Sequence, residues 1–198
     1  MTGPSFVTTP DGIRFFQKAS ASREIVDVPE YWFTDLKSTD RVIDIGANVG
    51  AFCIRAARVA GRVMAVEPVM TSRLRENILL NNADIRVLAA GLGDGTPALC
   101  TWDDTSAVVP TYPLAALVEM AGGCDFLKCD CEGAEWQIAP PDLAGIRRIE
   151  MELHLPPISG PPSQALLDYI TRNYDFTLER RPCHDVLGVM GILHAELK

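Results

Sequence analysis

Val42-Ile43-Asp44-Ile45-Gly46-Ala47-Asn48-Val49-Gly50 is the stretch on which the fold turns. Arg41 to Ile45 is rich in β-branched residues and reads as a strand, and the small residues that follow read as a tight loop. Ala51 to Ala60 continues as an alanine-rich helix, with Gly61 suited to end it. Strand, glycine loop and helix in that order open an α/β unit, so the next question is whether the pattern repeats.

It does. Arg62 to Val66 reads as a second strand, and Met70, Leu74 and Ile78 recur every four residues as one face of a helix that ends near Asn81 and Asn82. Ile85 to Ala89 is a third strand, Leu114 to Met120 a helix, Phe126 to Cys129 a fourth strand and Ile146 to Leu153 a fifth. Ser163 to Tyr174 is a further helix. Phe176 to Arg180 and Leu187 to Ala195 form a closing antiparallel pair around a turn at Arg181, Pro182 and Cys183. Strands alternating with helices predict a mostly parallel sheet with helices on both faces and ligands beyond the C-terminal strand ends. Upstream, Gly12 to Gln17 reads as a short strand anchored by Phe15 and Phe16, and Pro29 to Leu36 as a short aromatic-rich helix. The organisation expected is one domain over 1–198, with 1–40 as a lid segment and 41–198 as a Rossmann-like core.

Composition narrows the class. At 198 residues, 47% hydrophobic and 22% charged, the chain matches an ordinary globular domain. A formal net charge of −8 disfavours nucleic acid as a partner. No apolar run has the roughly 20 residues of a membrane helix, and Met1 to Pro4 shows no basic start of a signal peptide, so the cytoplasm is the expected compartment. Cys53, Cys100, Cys124, Cys129, Cys131 and Cys183 contain no C-x-x-C pair and read as free thiols.

The loop selects among ligands. A G-x-x-x-x-G-K-[ST] is absent, which removes a P-loop. A dinucleotide loop needs its middle glycine to admit a pyrophosphate, and here that position is Asn48. The Asp-x-Gly-x-Asn-x-Gly spacing from Asp44 to Gly50 suits a ligand with a zwitterionic amino-acid tail, such as S-adenosylmethionine. Glu67 ends the second strand 21 positions after Gly46, where an acid accepts from both ribose hydroxyls. Adenine is then expected near Ala89-Ala90-Gly91-Leu92.

These motifs, with Val66-Glu67-Pro68 and Phe126-Leu127-Lys128-Cys129-Asp130-Cys131-Glu132-Gly133-Ala134-Glu135, resemble the FkbM-type S-adenosylmethionine-dependent methyltransferases. The family's typical fourth-strand motif is Leu-Lys-Ile-Asp-Val-Glu-Gly-Ala-Glu; Cys129 and Cys131 stand here where it has aliphatic residues. Met151-Glu152-Leu153-His154 is similar to its fifth strand, which often ends in Glu-x-His. The resemblance covers residues 41 to 155. It implies a class I methyltransferase sheet, S-adenosylmethionine held by Asp44, Gly46, Ala47, Asn48, Gly50, Glu67, Pro68, Gly91, Leu92 and Asp130, and mostly O-methylation of small molecules or sugars.

Methyl transfer from a sulfonium is an in-line displacement, so the protein mainly aligns acceptor and methyl, and an alcohol acceptor must also lose a proton. Phe126, Lys128 and Asp130 share one face of the fourth strand, as do Arg148, Glu150, Glu152 and His154 on the fifth. If the two strands are neighbours, Asp130, Glu152 and His154 converge at the acceptor. His154, with an ordinary pKa near 6.5, is the expected general base, and Asp130 the group that orients cofactor or acceptor. The same three residues offer donors for a divalent cation, which is not the expected cofactor. Lys128 is expected to form a buried pair with Glu132 or Glu135, or to act as base. The acceptor pocket is expected to draw on residues 1–40 and the loop from Thr101 to Thr111, with Trp102, Asp103 and Asp104 as lining residues.

Other acceptors leave weaker traces. The Asn/Asp-Pro-Pro-aromatic motif of amino-methylation is missing at Asp130-Cys131-Glu132-Gly133, and Pro182-Cys183 falls in the terminal hairpin, away from a cytosine-type nucleophile position. Two alternatives to O-methylation remain: an N-methyltransferase, including one acting on RNA, and a non-catalytic nucleoside-binding module.

Overall fold

A sheet of seven strands forms the centre of the computed structural model, which describes residues 6–16, 30–181, 184 and 187–198. In chain order the elements are β1 (Phe6–Thr8), β2 (Arg14–Phe16), β3 (Arg41–Ile45), α1 (Ala51–Ala56), β4 (Arg62–Val66), α2 (Thr71–Leu80), β5 (Arg86–Leu88) and β6 (Gly91–Leu92). They continue as β7 (Ala98–Trp102), β8 (Thr105–Val109), β9 (Thr111–Tyr112), α3 (Leu114–Ala121), β10 (Phe126–Cys129), β11 (Arg148–His154), α4 (Gln164–Asn173), β12 (Tyr174–Glu179) and β13 (Val189–Leu197). Two short 3-10 turns, Ala134–Gln137 and Pro140–Leu143, lie between β10 and β11.

The central sheet runs β12-β13-β11-β10-β3-β4-β5. β5, β4, β3, β10 and β11 are parallel, and β13 joins β11 and β12 antiparallel. The chain leaves β3 towards β4 and β5, then returns to the other side through β10. The switch point therefore lies between β3 and β10, where an open α/β sheet has its ligand crevice. α3 and α4 pack on one face through Leu114, Leu117, Leu166 and Ile170, against Ile43, Met64, Leu127 and Ile149. α1 and α2 pack on the other through Phe52, Ile54, Leu74 and Ile78, against Val42, Val63 and Phe126. The mostly parallel sheet, the helices on both faces and the closing antiparallel pair are as the sequence reading expects.

Several local expectations change. α1 stops at Ala56 and continues as turns, and Gly61 is needed for close approach instead of a left-handed cap: a Cβ there would lie 2.7 Å from the Ser38 carbonyl oxygen. Residues 30–36 form turns and irregular chain, with no helix among them; Pro29 lies outside the described residues. The polar face of β11 explains the difference. Trp32 donates its backbone N–H to Glu150 (2.8 Å) and stacks on His194 at 3.6 Å, while Asp35 and Asp40 each pair with Arg147 at 2.7 Å. Those side chains require a strap laid across them, which a helix hydrogen-bonded to itself would not supply. The Thr101-to-Thr111 segment is chiefly a hairpin of β7 and β8, turning at Asp103, whose φ is 48°. The terminal turn at Pro182 and Cys183 lies outside the described residues.

β12 is one edge of the central sheet and exposes Phe176 and Leu178; β5, the other edge, has only three residues.

Beneath the crevice Lys128 is buried and charged. Its Nζ lies 3.2 Å from Asp44 Oδ1, donates to the Gly46 carbonyl at 2.8 Å and stands 3.8 Å from Asp130 Oδ2. Burial works against the ammonium, but Asp44 and Asp130 outweigh it and raise its pKa above the usual lysine value. Lys128→Met is expected to destabilise the fold by about 3–5 kcal/mol, because Asp44 then stays buried without its partner. Asp44→Leu combined with Lys128→Met should recover most of that loss. Urea unfolding of the two variants measures both.

Candidate functional site

The cofactor-like half of the site is built by the loop between β3 and α1. Gly46 (φ 74°), Asn48 (φ 50°) and Gly50 (φ 95°) turn the chain sharply. Gly46 has a second reason to lack a side chain: a Cβ there would lie 1.6 Å from the Asp130 carbonyl oxygen. The loop is also tied to β4, since Gly46 N–H and Ala47 N–H both donate to the Val66 carbonyl. One residue further, the Glu67 carboxylate accepts from the N–H groups of Asn48 (2.7 Å), Val69 (2.8 Å) and Met70 (2.9 Å). These bonds fix its direction and leave acceptor capacity for a donor from the cavity.

That cavity, about 310 Å³, opens beyond the C-terminal ends of β3, β4 and β10. Gly46, Asn48, Glu67, Pro68, Gly91, Leu92 and Asp130 line it, together with Trp102 and Cys100 from β7. Ala90 lies beside Gly91 and Leu92, where the sequence reading expects adenine. Three expected contacts are elsewhere: Asp44 is sealed against Lys128, Ala47 is buried behind the loop, and Gly50 packs on Leu74 and Ile54 of the helices. Their placement gives them a supporting position behind the cavity wall.

The second half follows from strand register. β10 and β11 are parallel neighbours, with Lys128 beside Glu150 and Cys129 beside Met151, so Asp130 comes next to Glu152. The ligand atoms of Asp130, Glu152 and His154 all lie within 4.8 Å of one another. Asp130 thus faces both the cavity and the carboxylate cluster. Tyr31, from the strap, donates its hydroxyl to Asp130 Oδ2 at 2.9 Å, and burial followed by the Asp130 charge keeps that phenol protonated. Burial opposes ionisation of Asp130, but Lys128, Glu152 and Tyr31 more than offset it and hold its pKa below the usual value. Burial lifts Glu152 to about 7 against the pull of His154, with the neighbouring Asp130 charge adding to the rise.

His154 departs from the expected base. It is 1% exposed, and its Nδ1 lies 3.1 Å from Glu135 Oε1. Its Nε2 stands 3.4 Å from Glu152 Oε2 and 3.5 Å from Glu132 Oε2. Burial disfavours the cation, yet Glu135 and Glu152 override it and raise the imidazole to about 11. At neutral pH the ring carries two protons and has no lone pair with which to accept another. A divalent cation held by Asp130, Glu152 and His154 would first have to displace the Nε2 proton from that arrangement.

Lys128 pairs with Asp44 and Asp130, not with Glu132 or Glu135. Among the residues that sequence reasoning missed, His184 is buried with Nε2 at 3.7 Å from Glu152 Oε1. Burial and the nearby Arg181 and Arg180 lower its pKa. Tyr31 had a signal, the Tyr31-Trp32-Phe33 run, but its partner could be known only from the fold.

No family model matches the chain, and no curated protein matches it. Among solved structures it is similar to the methyltransferase FkbM of Methylobacillus flagellatus KT, with 18% identity and a TM-score of 0.55 over 81% of this chain and 44% of that one. It is similar to an rRNA methylase from Streptococcus thermophilus, with 10% identity and a TM-score of 0.53 over 82% of this chain and 90% of that one. The Escherichia coli protein yhhF gives 12% identity and a TM-score of 0.54 over 98% and 99%. The chain spans less than half the length of the Methylobacillus protein. At these identities the likeness is one of fold: a class I methyltransferase sheet.

The cluster has a pH signature. Glu152 has its pKa raised from 4.5 to about 7, so the fold favours its neutral form. Its contribution to stability is complete below 4.5 and is lost as pH rises through about 7. His154 is raised from 6.5 to about 11, so its contribution is complete below 6.5 and is lost progressively as pH rises through about 11. The wild type should therefore lose stability relative to Glu152→Gln between pH 4.5 and 7, as read by urea unfolding, while nitrogen NMR shows His154 doubly protonated through pH 9.

Proposed function

We propose that this chain is an S-adenosylmethionine-dependent methyltransferase whose acceptor is a hydroxyl on a small, uncharged molecule such as a sugar. The observation that carries the reading is Asp130, which stands on the cavity wall with Glu67 and the Gly46 loop and also lies within 4.8 Å of the ligand atoms of Glu152 and His154. A nucleoside-sized cavity and a proton-handling group therefore meet at one residue. The resemblance over 41–155 to FkbM-type enzymes and the class I sheet support the same reading from separate directions.

The cofactor supplies an electrophilic methyl group and a neutral leaving group. Glu67 accepts from the ribose hydroxyls, the backbone at Gly46 and Asn48 lets the amino-acid end come close, and Ala90, Gly91 and Leu92 flank the adenine. Pro68 shapes the turn after Glu67. Asp130 receives the hydrogen bond of the acceptor hydroxyl and orients its oxygen. As the hydroxyl gives up its proton, the Asp130–Glu152 pair takes it, with Glu152 nearer to neutrality in pKa than Asp130. His154 serves as the fixed cation that keeps two adjacent carboxyl groups together, and Tyr31 and Lys128 hold Asp130 in place.

Charge favours the acceptor class. Asp130, Glu132, Glu152 and Glu67 leave this end of the molecule acidic, which disfavours phosphate-bearing acceptors, RNA included. The same acids favour an amine acceptor as the second reading, since an ammonium is drawn to them and must also lose a proton before it reacts.

Calorimetry should show S-adenosylmethionine binding that Glu67→Ala weakens about tenfold or more, the loss of a charge-assisted hydrogen bond being worth about 1.5–3 kcal/mol. No binding to the folded wild type would overturn the reading. Labelled S-adenosylmethionine offered with neutral polyols, amines and short RNAs separates the acceptor classes. With the acceptor that is labelled, turnover should rise with pH through about 7. Glu152→Gln should lower turnover about 100-fold and remove that rise, with cofactor affinity little changed.

A further inference from the structure

Two thiols flank Asp130. Cys129 ends β10 and is fully buried, while Cys131 lines the cavity. Residues two apart on an extended strand stand about 6.6–6.8 Å apart, yet these sulfurs are 3.4 Å from one another. The strand ends at Cys129, and the two side chains meet across Asp130 on the same side of the chain.

We propose that Cys129 and Cys131 are an oxidation site: hydrogen peroxide entering the cavity converts them to a reversible disulfide that distorts the cofactor loop. The part concerning the loop rests on the cofactor reading above; the thiol chemistry does not.

Placement assigns the roles. Cys131 is the sulfur that the cavity reaches, and its Sγ donates towards Glu135 Oε2 at 3.6 Å. The contact with Cys129 and burial hold that thiol well above its ordinary pKa, so the reaction is slower than at an exposed thiol and a filled cavity should prevent it. Cys131 sulfur attacks one peroxide oxygen; an S–O bond forms, the O–O bond breaks, and the departing hydroxide takes the proton that Cys131 gives up and leaves as water. Cys129 sulfur then attacks the Cys131 sulfenic acid, forming the S–S bond, breaking S–O and releasing a second water with the Cys129 proton. Two thiols are oxidised and one peroxide is reduced to two waters.

The effect on the loop follows from two tight contacts. Asp130 N–H donates to the Ile45 carbonyl at 3.0 Å, and the Asp130 carbonyl oxygen occupies the space that a Gly46 side chain would need. Closing the sulfurs to about 2.05 Å with a torsion near 90° requires the two peptides at Asp130 to turn. Gly46 has no slack to receive that turn, so the loop and the Asp130 carboxylate move together.

The test treats the full chain with hydrogen peroxide, alkylates remaining thiols after denaturation and reads peptides by mass. A loss of two hydrogens in the peptide carrying both Cys129 and Cys131, reversed by dithiothreitol, is expected. S-adenosylmethionine affinity should fall at least tenfold in the oxidised protein and return on reduction. Cys131→Val and Cys129→Ile, which put aliphatic residues at both positions, should each keep their affinity through peroxide, whereas Cys124→Ala, buried before the start of β10 and away from the cavity, should respond to peroxide as the wild type does. Saturating S-adenosylmethionine should protect both thiols. Two alkylatable thiols after peroxide, or separate oxidation of each without a bond between them, would overturn the site. A disulfide that leaves affinity unchanged would overturn the coupling. A reduced protein that binds no S-adenosylmethionine would fell the cofactor reading and the coupling with it, while the mass result would still decide the disulfide.

Discussion

The ammonium of Lys128 sits between β3 and β10, where the two halves of the sheet diverge, and touches the parts from which the crevice is made. It neutralises Asp44 under the glycine loop, fixes the loop through the Gly46 carbonyl and supports the charge on Asp130. An apolar residue at 128 would pack there but could do none of these. The pair thus trades desolvation for position, and the crevice inherits a loop height and a carboxylate direction set from below.

Above that base the site is an exercise in keeping like charges together. Asp130, Glu132, Glu135 and Glu152 crowd the ends of β10 and β11 around one buried imidazole. Protonation is the physical outcome for both classes of group: His154 keeps its second proton, and Glu152 holds its own to about 7. The strap from 30 to 40 belongs to the same solution. Without Tyr31, Trp32 and Asp35, the polar face of β11 and β13 would lie open, and its arginine, glutamate and histidine side chains would lose the partners that allow them to be there.

The parts of the molecule governed by local periodicity were readable from the chain. The Asp44-to-Gly50 loop, Glu67 at the end of β4 and the alternation along β10 and β11 follow from spacing alone, and with them the parallel sheet and the location of the crevice. What depends on partners distant in sequence was not readable. His154 looks like an ordinary imidazole until Glu135, 19 positions away, is seen to hold its Nδ1. Residues 30–36 have the composition of a helix, yet Trp32 and Asp35 bond to Glu150 and Arg147, more than 100 positions downstream. Asp44 resembles a ligand contact because it sits in the motif, and only the burial of Lys128 against it shows why an acid is needed there. The β7–β8 hairpin was not readable because Thr101 to Thr111 reads as one loop, and nothing local says that the strands on either side of Asp103 pair.

The two edges of the sheet have a consequence for behaviour in solution. β5 is too short to template another strand, but β12 offers six residues with Phe176 and Leu178 exposed among them. An edge of that length invites pairing with another chain unless something opposes it. Here the opposition is electrostatic: Asp175 stands exposed beside the apolar pair, and the whole molecule carries a formal charge of −8. That repulsion disappears as the medium approaches the isoelectric point near 4.9, so colloidal stability in this protein is a property of pH and ionic strength before it is a property of the fold.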